Sequence, residues 1–189
     1  MANKGIDLGK YLSRLPFFAI LMWWVIRLTS TGNVSFDVGL TLGVLTHFAL
    51  LIVSSLTPVF QGVKSSSFIQ GFKSCLRPAV LYALLAAVST VGYHHAVQKE
   101  STALRLMERE RFIDEQLGSE EAYALLQAAD PQLRDLDREE ARQRAKDSLS
   151  FHFNPLWHFT ASLLLWVGTA MTTSLFISAL WQWLRAWPS

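Results

Sequence analysis

Long runs without a wet face fill most of this chain, and one segment near its middle is almost entirely polar. A bilayer core of about 30 Å takes roughly 20 apolar residues as helix, because backbone groups in lipid must bond within their own segment. Residues 12–28, 38–60, 78–97 and 156–184 have that character. The pattern therefore predicts an all-α membrane protein: four transmembrane helices in a bundle, with a charged helical segment outside the membrane between the third and fourth. Residues 1–97 hold an N-terminal tail, three helices and a basic connector at about 61–77. Residues 98–155 form the extracytoplasmic segment, and 156–189 the last helix with a short cytoplasmic C-terminus.

Local signals place the helix ends. The first span is flanked by Arg14 and Arg27, whose stems are expected to snorkel to the two interfaces. Lys4, Lys10 and Arg14 before an apolar run resemble a signal peptide, but no Ala-x-Ala cleavage site follows, so a retained helix is expected. Ser35 is a candidate N-cap for the second span, which closes near Pro58, and Pro78 suits the first turn of the third. In the connector, Phe68, Ile69, Phe72, Cys75 and Leu76 recur at helical spacing, with Lys64, Lys73 and Arg77 towards the other side. That predicts a short interfacial helix, serving either as a topology signal or as a lipid sensor.

Beyond the third span nothing interrupts the helical pattern until Gly118, after which Ser119 caps a new helix with Glu120 and Glu121 in its first turn. Asp130-Pro131 predicts another start and a nearly all-polar helix over 131–149, supported by Glu140 with Arg144 and Glu139 with Arg142. Such a helix presents a solvated charged face or a docking surface. Arg138, Glu139, Arg142 and Arg144 are its candidate partner-binding residues.

Composition sharpens this picture. The chain is 51% hydrophobic and 17% charged, against roughly 25% charged in soluble domains. Nine of its 17 bases and 13 of its 15 acids fall within 99–147, a local net charge of −4. A cytosolic fold is excluded, because its every element would carry a wet face. A single cysteine, Cys75, excludes a disulfide scaffold, and a net charge of +2 offers no case for nucleic acid. Three bases precede the first span, and three more lie between the second and third with no acid. By the positive-inside rule both termini are cytoplasmic in a multi-pass protein of the cell inner membrane.

Candidate chemistry is sparse. Gly39, Gly43 and His47 share one face of the second span, and Ala79, Ala83, Thr90 and His94 one face of the third. The fourth repeats Ala170, Ser174 and Ser178, with Gly168 and Thr172 alongside. Small residues so spaced predict helix-packing seams. His47 lies about 14 Å down its helix, near mid-membrane, at a depth that does not match His94 for a shared haem. His94, His95, His152 and His158 gather near one interface as candidate metal ligands, although adjacent His94 and His95 point apart on an α-helix. The chain contains no hydrolase elbow, phosphate loop, HExxH or CxxC, so no enzyme activity and no cofactor are expected.

Three short motifs carry a resemblance: Phe68-Ile69-Gln70-Gly71-Phe72-Lys73 leading into the third span, Gly118-Ser119-Glu120-Glu121 in the charged insert, and Phe153-Asn154-Pro155-Leu156 entering the last span. With the overall layout they resemble, over residues 10–185, bacterial four-span membrane proteins of the cell envelope grouped as a domain of unknown function. The resemblance implies no activity and no catalytic residues. The polar helix after Pro131 and the absence of a basic tail beyond Arg185 depart from it. The expectation is a non-enzymatic structural or partner-binding component, with the lipid bilayer and a protein partner or second copy as its partners. The alternatives are a small transporter or channel for a neutral or lipidic substrate, and an outer-face histidine metal site.

Overall fold

The computed structural model describes residues 13–63, 67–129, 133 and 135–186. Its elements are helices α1 (Leu15–Ser30), α2 (Phe36–Ser55), a single turn α3 (Thr57–Phe60), α4 (Phe68–Gly92), a π-helical turn Tyr93–Val97, α5 (Lys99–Gln116), α6 (Glu120–Ala129), α7 (Arg138–His152) and α8 (Pro155–Ala186). Three helical stretches are long and apolar enough to cross a membrane: Phe36–Ser55, Phe68–Val97 and Pro155–Arg185. The chain is thus a helical, membrane-embedded protein. α1 is apolar but spans 16 residues, about 24 Å at 1.5 Å per residue. Two compact units divide the chain, one of residues 1–90 and 161–189, the other Val91–Thr160.

In the first unit, α1 begins with Pro16 in its first turn, where the missing N–H removes no helical bond. Its end is closed by hydroxyls: Ser30 and Thr31 donate to the Arg27 carbonyl at 3.0 and 2.8 Å. Gly32 at φ +80° turns the chain, and the Ser35 side chain caps α2 by accepting from the Val38 N–H. α1 then packs on α2. α4 contributes a flat alanine face, with Ala79, Ala83, Ala86 and Ala87 all fully buried. Without a hydrophobic gain between helices in lipid, such close approach and its dispersion contacts supply the association. Side chains such as Val25, Leu164 and Phe176 stand 61%, 70% and 69% exposed, as a lipid-facing surface requires.

The connector differs from expectation. α4 starts at Phe68 and runs through Pro78, so the interfacial helix and the third span are one element. The missing Pro78 N–H costs one bond in a helix supported on both sides. The helical pattern does not continue unbroken to Gly118 either. At Tyr93 the helix widens to a π turn, closed by Gln98 N–H donating to the Tyr93 carbonyl at 2.8 Å, and Gln98 breaks it.

In the second unit, Leu117, Tyr123 and Ala141 form a small core with Ile113, Leu133, Leu136 and Ala145 packed around it. Tyr123 reaches the Leu136 carbonyl at 2.6 Å, and Ser119 caps α6 by accepting from the Ala122 N–H at 3.1 Å. The last polar helix starts at Arg138, later than expected; the Asp130-Pro131 signal lies outside the described residues. Asp137 accepts from the Glu140 N–H at 2.8 Å while the Glu140 carboxylate turns back to the Asp137 N–H, a reciprocal cap. Turned back in this way, Glu140 makes no ion pair with Arg144 among the described residues.

Candidate functional site

The polar centre of the first unit assembles around His47. α2 places its imidazole, 2% exposed, between two indoles. Trp23 of α1 stacks on it with centroids 4.2 Å apart and planes 15° off parallel, and Trp166 of α8 lies at 5.1 Å. Both ring nitrogens are engaged: Nδ1 with the Tyr82 hydroxyl at 2.8 Å and Nε2 with Thr90 Oγ1 at 3.3 Å. Thr90 spends its one proton on the Ala86 carbonyl at 2.8 Å. It therefore accepts from His47, which places the imidazole proton on Nε2 and makes Tyr82 the donor to Nδ1. Every polar atom of the trio is satisfied by the neutral ring.

Arg27 is the residue that sequence reasoning misplaced. Expected to snorkel, it is 2% exposed, and its guanidinium donates to the Gly39 carbonyl. A Cβ on Gly39 would come within 3.0 Å of Arg27 Nη1, and one on Gly43 within 3.2 Å of Arg27 Cδ. The two glycines thus form a bed for the arginine side chain as well as a helix seam. Its position in the last turn of α1 lets the negative end of that helix favour the cation. Trp23 Nε1 donates to the Gly43 carbonyl and Trp24 Nε1 to Ser89 Oγ, both at 3.0 Å. The available signal was an arginine inside an apolar run, four residues after Trp23 and facing a Gly-x-x-x-Gly surface. Tyr82, Thr90 and Trp166 carry no sequence signal that would unite them with His47.

The remaining packing candidates divide. Ala83, Ala170, Ser174 and Ser178 are buried. Ser178 donates across to the Phe68 carbonyl at 3.2 Å, whereas the Ser54 and Ser174 hydroxyls find no partner among the described residues. Gly168 and Thr172 do not belong to the seam. Nothing lies within 4 Å of a Cβ on Gly168, and the exposed Thr172 hydroxyl bonds back to its own helix. The buried face of α8 follows Trp166, Ala170, Ser174 and Ile177, and both residues point away from it.

In the second unit three of the four interfacial histidines meet. His95 Nε2 lies 3.2 Å from His158 Nδ1, and the His94 ring centroid lies 5.5 Å from that of His158. Contrary to the α-helical expectation, His94 and His95 both approach one ring, because the π turn is wider and separates consecutive side chains less. His152 stands apart, bonded to the Ser148 carbonyl at 2.6 Å and set against Trp157. No group of three His, Cys, Asp or Glu among the described residues is arranged to hold a metal.

Of the candidate partner residues, Glu139 and Arg144 are exposed, whereas Arg138 and Arg142 serve the unit itself. Arg138 donates to the Gly118 carbonyl at 3.3 Å, and Arg142 binds Asp114 at 2.6 Å and Glu139 at 3.3 Å. Lys146 reaches the same Asp114 oxygen at 2.7 Å. Two cations beside it hold the Asp114 carboxyl below the usual carboxylate range, and Asp114 in turn raises Arg142. The 138–152 helix packs on α5, and both arginines make these bonds within the unit. Compared with protein-family models, with curated proteins and with solved structures, the chain matches none.

Proposed function

We propose that the chain is a non-enzymatic integral membrane protein of the bacterial cell envelope, held in the inner membrane by four helices, whose 98–155 segment binds a protein partner outside the membrane. The observation that carries this reading is α5, which is 18 residues long and buries none of them. Its Leu104, Met107 and Phe112 stand 57%, 57% and 53% exposed on one side of the helix. Glu108, Arg111 and Glu115 stand between these three around the helix, with Arg105, Arg109 and Glu110 beyond them. Such alternation complements itself better than it complements a partner of one sign, so the occupant is a second copy of the chain.

The membrane part of the reading rests on two supports. α1 is short, yet Phe17, Phe18, Leu21, Met22, Val25 and Leu28 are each 48% or more exposed beside a partner helix of spanning length. A modest local thinning of the bilayer accommodates the difference. The bases flanking the first three spans favour cytoplasmic termini. His47 is closed in by Trp23, Tyr82 and Trp166 and lines neither the cavity beside Arg77 nor that beside Lys99, which weighs against a substrate path through the bundle.

Photo-crosslinking tests the proposal. A benzophenone side chain at position 107 or 112, in native membranes, is expected to yield a product of twice the chain mass, and one at position 143 on α7 is not. Capture of a different protein from 107 or 112 overturns self-association, and no product from either overturns the partner-binding role.

A further inference from the structure

A cavity of about 360 Å³ opens in the first unit where α1 begins and α2 ends, against the N-terminal half of α4. Pro16 is at the start of α1, Thr57 and Pro58 follow the end of α2, and Ser74, Arg77, Pro78 and Leu81 come from α4. This is the level of a membrane boundary whichever way the protein faces, because α1 begins and α2 finishes there. The three prolines lend the walls rings with no N–H to satisfy, while Arg77 and the hydroxyls of Thr57 and Ser74 supply a polar side. Val63, also in the wall, accepts from Arg185 at 3.4 Å, which brings a second guanidinium to the rim.

Charge selects the ligand. Arg77 is in the cavity wall and Arg185 reaches its rim, whereas Asp37 is the only acid among the described residues of the unit and sits in the first turn of α2, at the opposite end. A cavity at the head-group level, apolar on one side and faced on the other by guanidinium charge with no acid beside it among the described residues, matches a phosphate joined to hydrocarbon. Phe17, Phe18 and Phe60 stand 48%, 54% and 55% exposed close to the same ends in sequence, a surface suited to acyl chains.

We infer that this cavity is a binding site for an anionic glycerophospholipid, its phosphate held by Arg77 and its glycerol region lying among Pro16, Pro58 and Pro78. The site is independent of partner binding by the second unit. The test is lipid retention by the full chain purified in mild detergent, after supplementation with dioleoylphosphatidylglycerol, dioleoylglycerol or free glycerol phosphate, read by native mass spectrometry. The phospholipid is expected to be retained at least five-fold above either fragment, which separates a lipid from a soluble phosphate or a merely greasy ligand. Arg77→Gln is expected to abolish that preference, and Lys73→Gln, on the same helix but outside the cavity wall, to preserve it. Ser74→Phe, which fills the cavity and keeps Arg77, is expected to reduce retention as well. Equal retention of phosphatidylglycerol and dioleoylglycerol, tighter binding of free glycerol phosphate, or equal behaviour of Arg77→Gln and Lys73→Gln overturns the assignment.

Discussion

The Trp23 indole lies flat on the His47 imidazole, 4.2 Å between centroids, so that α1 and α2 are joined by a ring stack as well as by backbone approach. The same imidazole bonds Tyr82 and Thr90 of α4 and touches Trp166 of α8. One side chain therefore ties all four apolar helices of the unit together. His47→Ala removes the stack and leaves the Tyr82 hydroxyl without its acceptor, so unfolding in detergent is expected about 2–4 kcal/mol sooner. His47→Phe keeps the stack and loses only the hydrogen bonds, costing about 1–3 kcal/mol. Thermal melts followed by tryptophan fluorescence order the three proteins, and equal melting of wild type and His47→Ala would remove the hub from the account.

The bed formed by Gly39 and Gly43 for Arg27 predicts a non-additive pair. Gly43→Ala forces the Arg27 stem away from a contact already at 3.2 Å, whereas Arg27→Ala removes the three atoms nearest the added methyl. The double-mutant cycle is expected to show coupling of about 0.5–3 kcal/mol, with Gly43→Ala harmful alone and milder in combination. Additive effects would mean that the glycines serve only backbone approach.

Acid should loosen the second unit through Asp114. Its folded carboxyl titrates below the unfolded one, so its stabilisation is complete above about pH 3.9 and disappears as pH falls through the folded value. Hydrogen exchange of α5 and α7 is expected to be slower in wild type than in Asp114→Asn at pH 5, with a smaller difference at pH 2. The same difference at both pH values would exclude the carboxylate as its source. The effect is modest, because Asp114 and Arg142 are each 37% exposed and solvent screens them.

Gly118 carries a packing constraint that its place in a turn does not reveal. A Cβ there would stand 2.5 Å from the Asp114 carbonyl oxygen, a backbone atom at the end of α5. Gly118→Ala therefore has to move the helix end beside Leu117 and Tyr123, at a cost of about 1–3 kcal/mol to the small core. Faster proteolysis of the 98–155 segment, with the membrane helices unaffected, is the expected reading; unchanged proteolysis would place the constraint elsewhere.

Much of the helix layout was legible along the chain because bilayer thickness, charge and capping act locally. Three of the four apolar runs expected to span are helices of spanning length, Ser35 and Ser119 cap where their hydroxyls suggest, and the charges crowd into one segment. Where local signals compete, the sequence misleads. Pro78 looks like a helix start and sits inside α4, and the polar helix expected over 131–149 begins at Arg138, where Asp137 with Glu140 supplies its cap.

Tertiary structure alone decided which polar groups meet. Arg27 reads as a flanking base because sequence shows only its distance from the span's end; whether it turns to water or inward depends on the empty volume over Gly39 and Gly43, which belongs to another helix. His47, Tyr82, Thr90 and Trp166 lie on three helices, and rotation about each helix axis decides their convergence. Periodicity fixes which residues of one helix share a face and leaves open which faces of two helices are opposed. Composition and hydropathy thus determined that this chain is helical and enters a membrane, because both follow from the solvent each residue tolerates. The buried His47 hub, the inward Arg27 and the proline-lined cavity beside Arg77 came from packing, because each is made by side chains far apart in sequence.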